Sequence, residues 1–327
     1  MTLYDLKEAK VMSYYIGIDL GGTNVAAGMV QEDGVLLGKA SVPCPRGGEA
    51  VADAIARAAR MAAEAAEVDL KGAKGVGLAS PGSIDPERGE VGHAFNLGLD
   101  HVPLADMVSQ RLWGLPTLLE NDANAAALGE YIAGAGRGKD SLVAVTLGTG
   151  VGSGAVLGGK LYTGFNYAGM EAGHTVIHRG GRECTCGRKG CWEAYSSATG
   201  LIRSTREAME AHPGSKLWQF APTLEAVNGK TPFDAAQAGD ETAQAVVDEY
   251  IEDLACGLAN LINILQPEVV CLGGGVSKQG EALLAPLRVV LNREEFTRDA
   301  PRRCQVLEAQ LGNDAGIIGG ALVGSYR

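Results

Sequence analysis

The sequence predicts a duplicated α/β fold, in which each half is a mixed sheet flanked by helices. An apolar strand, a glycine-rich turn and an apolar return strand occur near the start of the chain, and SLVAVTLGTGVGSGAVLGGKLYTG repeats that plan at 141–164. The length of 327 residues allows two domains, because single cores seldom grow far beyond ~250–300 residues. We therefore expect two lobes around a cleft.

The first half reads as a β-meander followed by alternating helices and strands. Residues 14–30 predict a buried strand, a glycine turn and a second strand, and VLLGKASVPC predicts a third. Residues 49–68 predict an alanine-rich helix, since their apolar positions recur at helical spacing. GVGLAS and LPTLLE predict two further strands, and the second places Asn121 and Asp122 at a helix N-terminus.

The second half repeats the meander and then becomes helical. Residues 197–250 read as helices broken by Pro213, Pro222 and Pro232. EVVCLGGGVS predicts another strand with a third glycine turn, and GNDAGIIGGALVGSY predicts a small-residue helix that packs back on the first lobe. The predicted parts are a small lobe of 14–123 with 313–327, a large lobe of 124–312, and an N-terminal extension of 1–13.

Composition excludes several classes of partner. The chain has 28 basic and 39 acidic residues, a net charge of −11, and no dense cluster of Lys or Arg that would neutralise phosphates. Its seven cysteines do not form the framework of a disulfide-rich secreted protein. No stretch approaches the ~20 apolar residues of a membrane span. The sequence predicts a cytoplasmic protein that binds neither nucleic acid nor membrane.

The segment EAGH…CTCGRKGCWE carries the most specific ligand pattern of the chain. Cys184, Cys186 and Cys191 offer three thiolates, and His174 adds an imidazole upstream. Zinc prefers this soft ligand set in a tetrahedral site. Because four protein ligands fill the coordination sphere, we expect a structural zinc that leaves the chemistry to neighbouring carboxylates. The alternative is three free thiols and an unrelated histidine.

Three glycine turns follow apolar strands, and together they predict a nucleotide site. In the first turn, the backbone amides of Gly21, Gly22 and Thr23 can approach a polyphosphate because no large side chain intervenes. Asp19, at the strand end, can hold a hydrated magnesium ion. TLGTGVGSG and LGGGVS offer the second and third turns. A single turn of this kind is more often a hairpin, so the prediction depends on all three.

These motifs together resemble those of the ROK family of sugar kinases and regulators. The matching pieces are DLGGTN, SPGSID, ENDANAAALGEY, TLGTGVGSG, EAGH, CTCGRKGCWE and LGGGVS. The resemblance implies an actin-like/hexokinase-like (ribonuclease H-like) fold, a homodimer or homotetramer, and two lobes that close over ATP and a hexose. The implied reaction is ATP-dependent phosphorylation of the primary 6-hydroxyl of a hexose, with glucose as the first candidate.

The resemblance also assigns roles to individual residues. It makes Asp122 the general base, and a helix start suits a carboxylate that stays ionised. The implied sugar-binding residues are Gly82, Asn96, Asn121, Asp122, Glu171, His174 and Glu193. The implied ATP-binding residues, of which the first also binds Mg²⁺, are Asp19, Gly21, Gly22, Thr23, Asn24, Thr149, Gly150, Gly273, Gly274 and Gly275. The histidines with no partner pattern in the sequence are His93, His101, His178 and His212.

Two other functions remain open at this stage. One is a kinase for another hexose or an N-acetylhexosamine, such as fructose or N-acetylmannosamine, because Leu99 stands where relatives often carry an aromatic ring. The other is a sugar-sensing transcriptional regulator of the same family. Such regulators add a DNA-binding helix-turn-helix, and the roughly thirteen residues before the first strand are too few for one.

Overall fold

The structure is a computed structural model that describes residues 13–327. The chain divides into two compact units: one runs up to Ala133 and includes Asn313–Arg327, and the other is Gly134–Gly312. The boundary predicted from the sequence, after residue 123, falls inside the first turn of a helix that the structure keeps whole in the first unit. The predicted extension lies outside the described residues, except for Ser13.

The first unit contains a five-stranded mixed sheet. Its elements are β1 (Tyr14–Leu20), β2 (Asn24–Gln31), β3 (Leu36–Pro43), α1 (Gly48–Ala65), β4 (Val76–Ser80), β5 (Ser83–Asp85), β6 (Glu90–Ala94), β7 (Leu99–Val102), α2 (Leu104–Arg111), β8 (Thr117–Asn121) and α3 (Asp122–Ala133). The sheet order is β3-β2-β1-β4-β8. Strands β1 to β3 are the predicted antiparallel meander, while β4 and β8 run parallel to β1. A separate antiparallel sheet, β5-β6-β7, was not predicted.

The second unit repeats this topology. Its elements are β9 (Leu142–Leu147), β10 (Val151–Leu157), β11 (Lys160–Tyr162), α4 (Glu193–Ser196), α5 (Ala198–Ala211), α6 (Leu217–Phe220), α7 (Thr231–Gln237), α8 (Glu241–Leu265), β12 (Val269–Gly274), α9 (Glu281–Glu294) and β13 (Gln305–Glu308). The sheet order, β11-β10-β9-β12-β13, matches that of the first sheet strand for strand. The predicted duplication is therefore confirmed. Helix α8 runs well past residue 250, where the helical region was expected to end.

Each unit has its own apolar core. In the first unit, the core gathers α1 and α2 against one face of the sheet. In the second, the long helix α8 and helix α9 pack against β9 and β12. Among residues 13–327, no helix has the length and apolar character needed to cross a membrane.

The last helix, α10 (Asp314–Leu322), returns to the first unit and packs against β1, β4 and α3. The contact is unusually close because glycines face the helix backbone. A Cβ added to Gly77 of β4 would overlap the carbonyl oxygen of Gly320, and one added to Gly17 of β1 would overlap that of Ile317. Backbone therefore meets backbone along this contact, which we call the glycine seam.

The glycine seam predicts that Gly319→Ala destabilises the protein. The new methyl group would overlap the carbonyl oxygen of Ala125 in α3, so overpacking should cost about 1–3 kcal/mol. That cost exceeds the gain of up to ~1 kcal/mol in helix propensity. Gly214→Ala is the control, because nothing lies within 4 Å of its added Cβ. Urea unfolding followed by circular dichroism measures both, and equal stabilities would contradict the close contact.

Candidate active site

Parallel strands of the first sheet bring several predicted site residues to one edge. Asp19 of β1 is the register partner of Ala79 in β4, and Ser80 of β4 is the partner of Asn121 in β8. Asp122 follows directly as the first residue of α3. The carboxyl ends of parallel strands meet at one edge, which is where α/β sheets bind ligands. We call this part of the first unit the carboxyl edge.

Asp19 lies in a confined place at the carboxyl edge. Burial, and then the negative charge of Asp122, raise the pKa of Asp19 to about 6. Gly316 of α10 faces the Asp19 carboxylate, since a Cβ added there would lie 3.0 Å from its Cγ. Two neighbouring carboxylates that oppose each other's ionisation are a favourable environment for a divalent cation. The donor set therefore fits the magnesium ion that the sequence predicts at Asp19.

Asn121 and Asp122 together cap helix α3. The side-chain Oδ1 of Asn121 accepts hydrogen bonds from the backbone amides of Ala123, at 2.9 Å, and Asn124, at 3.2 Å. Asp122 Oδ1 also accepts from the Ala123 amide, at 2.8 Å. These bonds satisfy amides that a helix N-terminus leaves without an intrahelical partner. The cap orients the Asp122 carboxylate relative to the sheet.

A buried acid supports this cap, although no sequence pattern predicts its role. Glu120 is fully buried, and its Oε1 accepts from the Asn121 amide at 2.9 Å and from Asn124 Nδ2 at 3.1 Å. Its Oε2 pairs with Arg327 at 3.1 Å, and Arg327 also donates to the Leu119 carbonyl. In the sequence, Glu120 is only an acidic residue at the end of a predicted strand. No local pattern connects it with an arginine 207 positions away.

The first glycine turn lies next to a predicted sugar residue. The Gly21 amide donates to the Asn24 carbonyl at 2.9 Å, which closes the turn after β1. Asn96 stands in a short helical turn between β6 and β7, and a Cβ on Gly22 would lie 3.3 Å from its Nδ2. The structure therefore brings Asn96 to the predicted phosphate turn. Gly22 and the two residues after it remain exposed.

Gly82 follows β4 on the same side of the sheet. Its φ is +86°, and an added Cβ would overlap the carbonyl oxygen of His93. A residue with a side chain cannot occupy this position without moving the backbone. Gly82 can therefore contact a ligand only through its amide or carbonyl group.

The second and third glycine turns lie side by side in the second unit. Gly273 and Gly274, at the end of β12, are register partners of the last two residues of β9. Thr149 and Gly150 follow β9 after one intervening residue, Gly148. Gly274 has a φ of +89°, and nothing lies within 4 Å of a Cβ added to Gly275. Two adjacent strand ends thus present backbone groups together, which is the arrangement expected of a phosphate or nucleoside site.

Four side chains form a compact group, which we call the Cys–His cluster. The ligand atoms of His174, Cys184, Cys186 and Cys191 lie within 4.8 Å of one another. The Cys186 and Cys191 sulfurs are 3.7 Å apart, and Cys184 Sγ is 3.7 Å from His174 Nδ1. Zn–S bonds of about 2.3 Å in a tetrahedron separate two sulfurs by about 3.8 Å. The distances therefore fit a tetrahedral zinc.

The protonation of the Cys–His cluster depends on whether a cation is bound. Burial, followed by the nearby thiols of Cys186 and Cys184, raises the pKa of Cys191 to about 12. In the absence of a cation, this thiol therefore stays protonated at neutral pH. A bound metal ion would reverse that preference by stabilising the thiolate.

Glu193 joins the Cys–His cluster to the second glycine turn. Its Oε2 accepts from the Val151 amide at 3.0 Å, and its Oε1 lies 3.7 Å from Cys184 Sγ. A Cβ on Gly150 would overlap Oε2, so a side chain there would displace the Glu193 carboxylate. Glu171, the other predicted carboxylate of the motif, is exposed and begins the turn that carries His174. A displacement of the cluster would therefore move Glu193 against the turn.

A buried tryptophan fixes the end of this segment to α8. Trp192 is fully buried, and its Nε1 donates to the Asp253 carbonyl at 3.1 Å. Gly257 allows the close approach, because a Cβ there would overlap the indole ring. His178 Nε2 lies 2.6 Å from the Asp253 carboxylate. This histidine therefore has a partner that the sequence pattern did not reveal.

Comparison with known proteins identifies the family to which this chain is similar. The sequence pattern of the ROK family matches residues 15–325. A glucokinase of Thermotoga maritima is 42% identical over 311 residues, which cover 94% of this chain and 96% of that protein. An N-acetylmannosamine kinase of Yersinia pseudotuberculosis is 35% identical over 308 residues, which cover 94% and 97%. A ROK family glucokinase from Streptomyces griseus, crystallised with glucose and AMPPNP, superposes with a TM-score of 0.78 at 39% identity, covering 94% and 98%.

The duplicated sheets and the structural match define the class as the actin-like/hexokinase-like fold, as predicted. Within that class, the chain belongs to the ROK family. The resemblance inferred from the sequence motifs is therefore confirmed.

The carboxyl edge predicts a measurable coupling between its two acids. In the ligand-free protein, Asp122→Asn should lower the pKa of Asp19 from about 6 towards 3.8, because one negative neighbour is removed while burial remains. Carboxyl-carbon NMR titration measures this shift. Asp106→Asn, at an exposed position of α2, is the control and should leave the pKa of Asp19 unchanged.

The sign of the accompanying stability change follows from proton binding. Folded protein keeps the Asp19 proton up to about pH 6, whereas unfolded protein releases it near 3.8. The contribution of this proton to stability is therefore complete below 3.8 and is lost as the pH rises to about 6. Because Asp122→Asn should lower the pKa of Asp19 in the folded protein, it should narrow the pH range over which this contribution to stability is lost. An unchanged Asp19 pKa in Asp122→Asn would show that the two carboxylates are not coupled.

Proposed function

We propose that this protein transfers the γ-phosphoryl group of ATP to the 6-hydroxyl of glucose. The observation that carries the proposal is the similarity to bacterial glucokinases over almost the whole chain, including one crystallised with glucose and AMPPNP. Phosphoryl transfer depends on in-line placement of the acceptor and on neutralisation of charge. The carboxyl edge and the glycine turns offer groups suited to both tasks.

Asp122 is the general base in this proposal. Its carboxylate is oriented by the Ala123 amide, and the Glu120–Arg327 pair fixes the strand that precedes it. An oriented carboxylate can accept the proton of the sugar's 6-hydroxyl as that oxygen attacks the γ-phosphorus. The proton moves to the Asp122 oxygen, and the bond to the β-phosphate oxygen of ATP breaks.

Sugar recognition is assigned to polar groups of both units. Carboxylates accept hydrogen bonds from sugar hydroxyls, and amides and imidazoles can donate as well as accept. In the first unit, the proposed contacts besides Asp122 are the backbone of Gly82 and the side chains of Asn96 and Asn121. In the second unit, they are Glu171, His174 and Glu193.

ATP is assigned to backbone groups of the three glycine turns. The amides of Gly22 and Thr23, with Asn24 beside them, suit phosphate oxygens because these positions are exposed. The Gly21 amide, which the sequence also predicted for this role, instead donates to the Asn24 carbonyl and shapes the turn. The proposed contacts of the second unit are the amides of Thr149 and Gly150, and Gly273, Gly274 and Gly275 beside the adenosine. Asp19 would hold Mg²⁺, which, when bound, neutralises the charge of the triphosphate.

We also propose that the Cys–His cluster holds a structural zinc. His174, Cys184, Cys186 and Cys191 would be its ligands, and the tetrahedral fit of their distances supports this assignment. A bound zinc would supply rigidity. His174 and Glu193 would then be held in fixed positions relative to the second glycine turn.

The proposal predicts both a substrate preference and a dependence on Asp122. In a coupled ADP-release assay, glucose should give the highest kcat/KM among glucose, mannose, fructose, glucosamine and the N-acetylhexosamines. Asp122→Asn should lower kcat about 10²–10⁴-fold and leave the affinity for glucose nearly unchanged, because the amide keeps the cap but cannot take a proton.

Asp106→Asn is the matched control and should retain full turnover. A preferred N-acetylhexosamine would support the second candidate function, which the similarity to an N-acetylmannosamine kinase favours. Substantial turnover by Asp122→Asn with glucose would remove Asp122 from the role of base without touching the substrate assignment.

The proposed zinc site predicts two effects of removing one of its thiol ligands, one on zinc content and one on the KM for glucose. Cys184→Ser should lower the zinc content measured by inductively coupled plasma mass spectrometry and raise the KM for glucose, because Glu193 and His174 lose their common anchor. A loss of metal affinity of at least about 10–100-fold is expected for a disturbed ligand shell. Cys256→Ser, at an exposed position of α8, is the control. Zinc-free protein with an unchanged KM would contradict the coupling.

A cytoplasmic location is supported by the state of the cysteines. All seven are free in the structure, including three that lie close together in the Cys–His cluster. Free thiols in this number are typical of a reducing compartment. The homodimer or homotetramer implied by the ROK family resemblance stays a prediction.

A further inference from the structure

A second group of potential metal ligands lies on the small sheet β5-β6-β7. His93 of β6 is the cross-strand partner of Asp100 in β7, and His101 comes next in the chain. One ligand atom from each of these side chains lies within 4.8 Å of the others, and all three residues are exposed. We call this group the His–Asp cluster. None of its side chains has a part in the proposed reaction.

The backbone at His101 helps to explain how consecutive residues come together. Successive side chains of a regular strand point to opposite faces, so Asp100 and His101 would normally lie apart. His101 has a φ of +49°, in the left-handed region that side chains rarely adopt. As a result, its ring meets that of His93 edge to face, with centroids 5.0 Å apart.

Each imidazole already has a carboxylate at one ring nitrogen. His93 Nδ1 lies 2.8 Å from Asp100 Oδ1, and His101 Nδ1 lies 2.6 Å from Glu90 Oε1. A carboxylate at Nδ1 favours the tautomer with its proton there, which leaves the Nε2 lone pair available to a metal. The two carboxylates also place negative charge beside the rings, which attracts a cation.

We propose that the His–Asp cluster binds a divalent transition-metal ion such as Zn²⁺ or Ni²⁺. Two imidazoles with an adjacent carboxylate suit these ions, whereas Mg²⁺ and Ca²⁺ prefer oxygen ligands alone. The site is separate from the Cys–His cluster and does not depend on the proposed reaction. Because His93 and Asp100 pair across β6 and β7, the ion joins the two ends of the loop that carries Asn96.

Calorimetric titration with Ni²⁺ tests the proposal on untagged protein that has been loaded with zinc and then dialysed against a weak chelator, so that the exposed His–Asp cluster is free of zinc before the titration. The wild-type protein should bind one Ni²⁺ that His93→Ala and His101→Ala each fail to bind. Asp100→Asn should weaken this binding about tenfold or more, since it removes the charge beside His93. His212→Ala is the matched control, because His212 is exposed and outside the cluster. It should bind like the wild type.

Identical Ni²⁺ isotherms for wild type, His93→Ala and His101→Ala would overturn the proposal, whatever the Cys–His cluster binds. Titration with Mg²⁺ should show no binding that depends on His93 or His101. Equal melting temperatures of the variants in the absence of Ni²⁺ establish that any loss of binding comes from the ligands and not from unfolding.

Hydrogen exchange provides a second readout that is independent of activity. Ni²⁺ should slow amide exchange of residues 94–99 in the wild type and in His212→Ala, because the ion ties both ends of that loop. The same addition should have no effect on this loop in His93→Ala. Exchange that is equal with and without Ni²⁺ in the wild type would contradict a site across β6 and β7.

Discussion

The parallel register of β1, β4 and β8 is the constraint on which the first unit's site depends. It brings Asp19, Ser80 and Asn121 to one edge, and Asp122 follows as the chain enters α3. The glycine seam allows α10 to lie directly behind this edge, with Gly316 against the Asp19 carboxylate. Close packing leaves little freedom to either element. Hydrogen-bond register and backbone contact thus set the positions of two acids before any ligand binds.

The second unit reaches a comparable result by different means. Its two glycine turns are neighbours because β9 and β12 are parallel partners. In the first sheet, parallel pairing likewise brings the ends of β1, β4 and β8 together. The added feature is Glu193, whose carboxylate connects the Cys–His cluster with the turn at Gly150 and Val151. Side-chain position and turn geometry are therefore mutually dependent here. A side chain at position 150 would displace this carboxylate from its hydrogen bond with the Val151 amide.

Local patterns were enough to predict much of the fold and to propose residues for the candidate site. Strand-turn-strand units, the cysteine spacing and the helix start at Asn121 are all encoded within a few neighbouring residues. The sheet β5-β6-β7 was missed because its strands are short and contain glycine and charged residues. Contacts such as Glu120 with Arg327, or His178 with Asp253, join distant parts of the chain. Such pairs follow only from the completed tertiary structure.

The burial of the Glu120–Arg327 ion pair makes it less sensitive to high salt concentration than an ion pair at the surface. Dissolved ions screen charges mainly where water reaches them, and the Debye length is only ~8 Å at physiological ionic strength. Glu120 is fully enclosed and Arg327 is 23% exposed, whereas a surface pair such as Lys230 with Asp234 has a lysine 65% exposed. High salt should weaken the surface pair while the enclosed one persists. The Glu120–Arg327 ion pair, which supports Asn121, should therefore keep its strength at salt concentrations that weaken the surface ion pairs of this acidic protein.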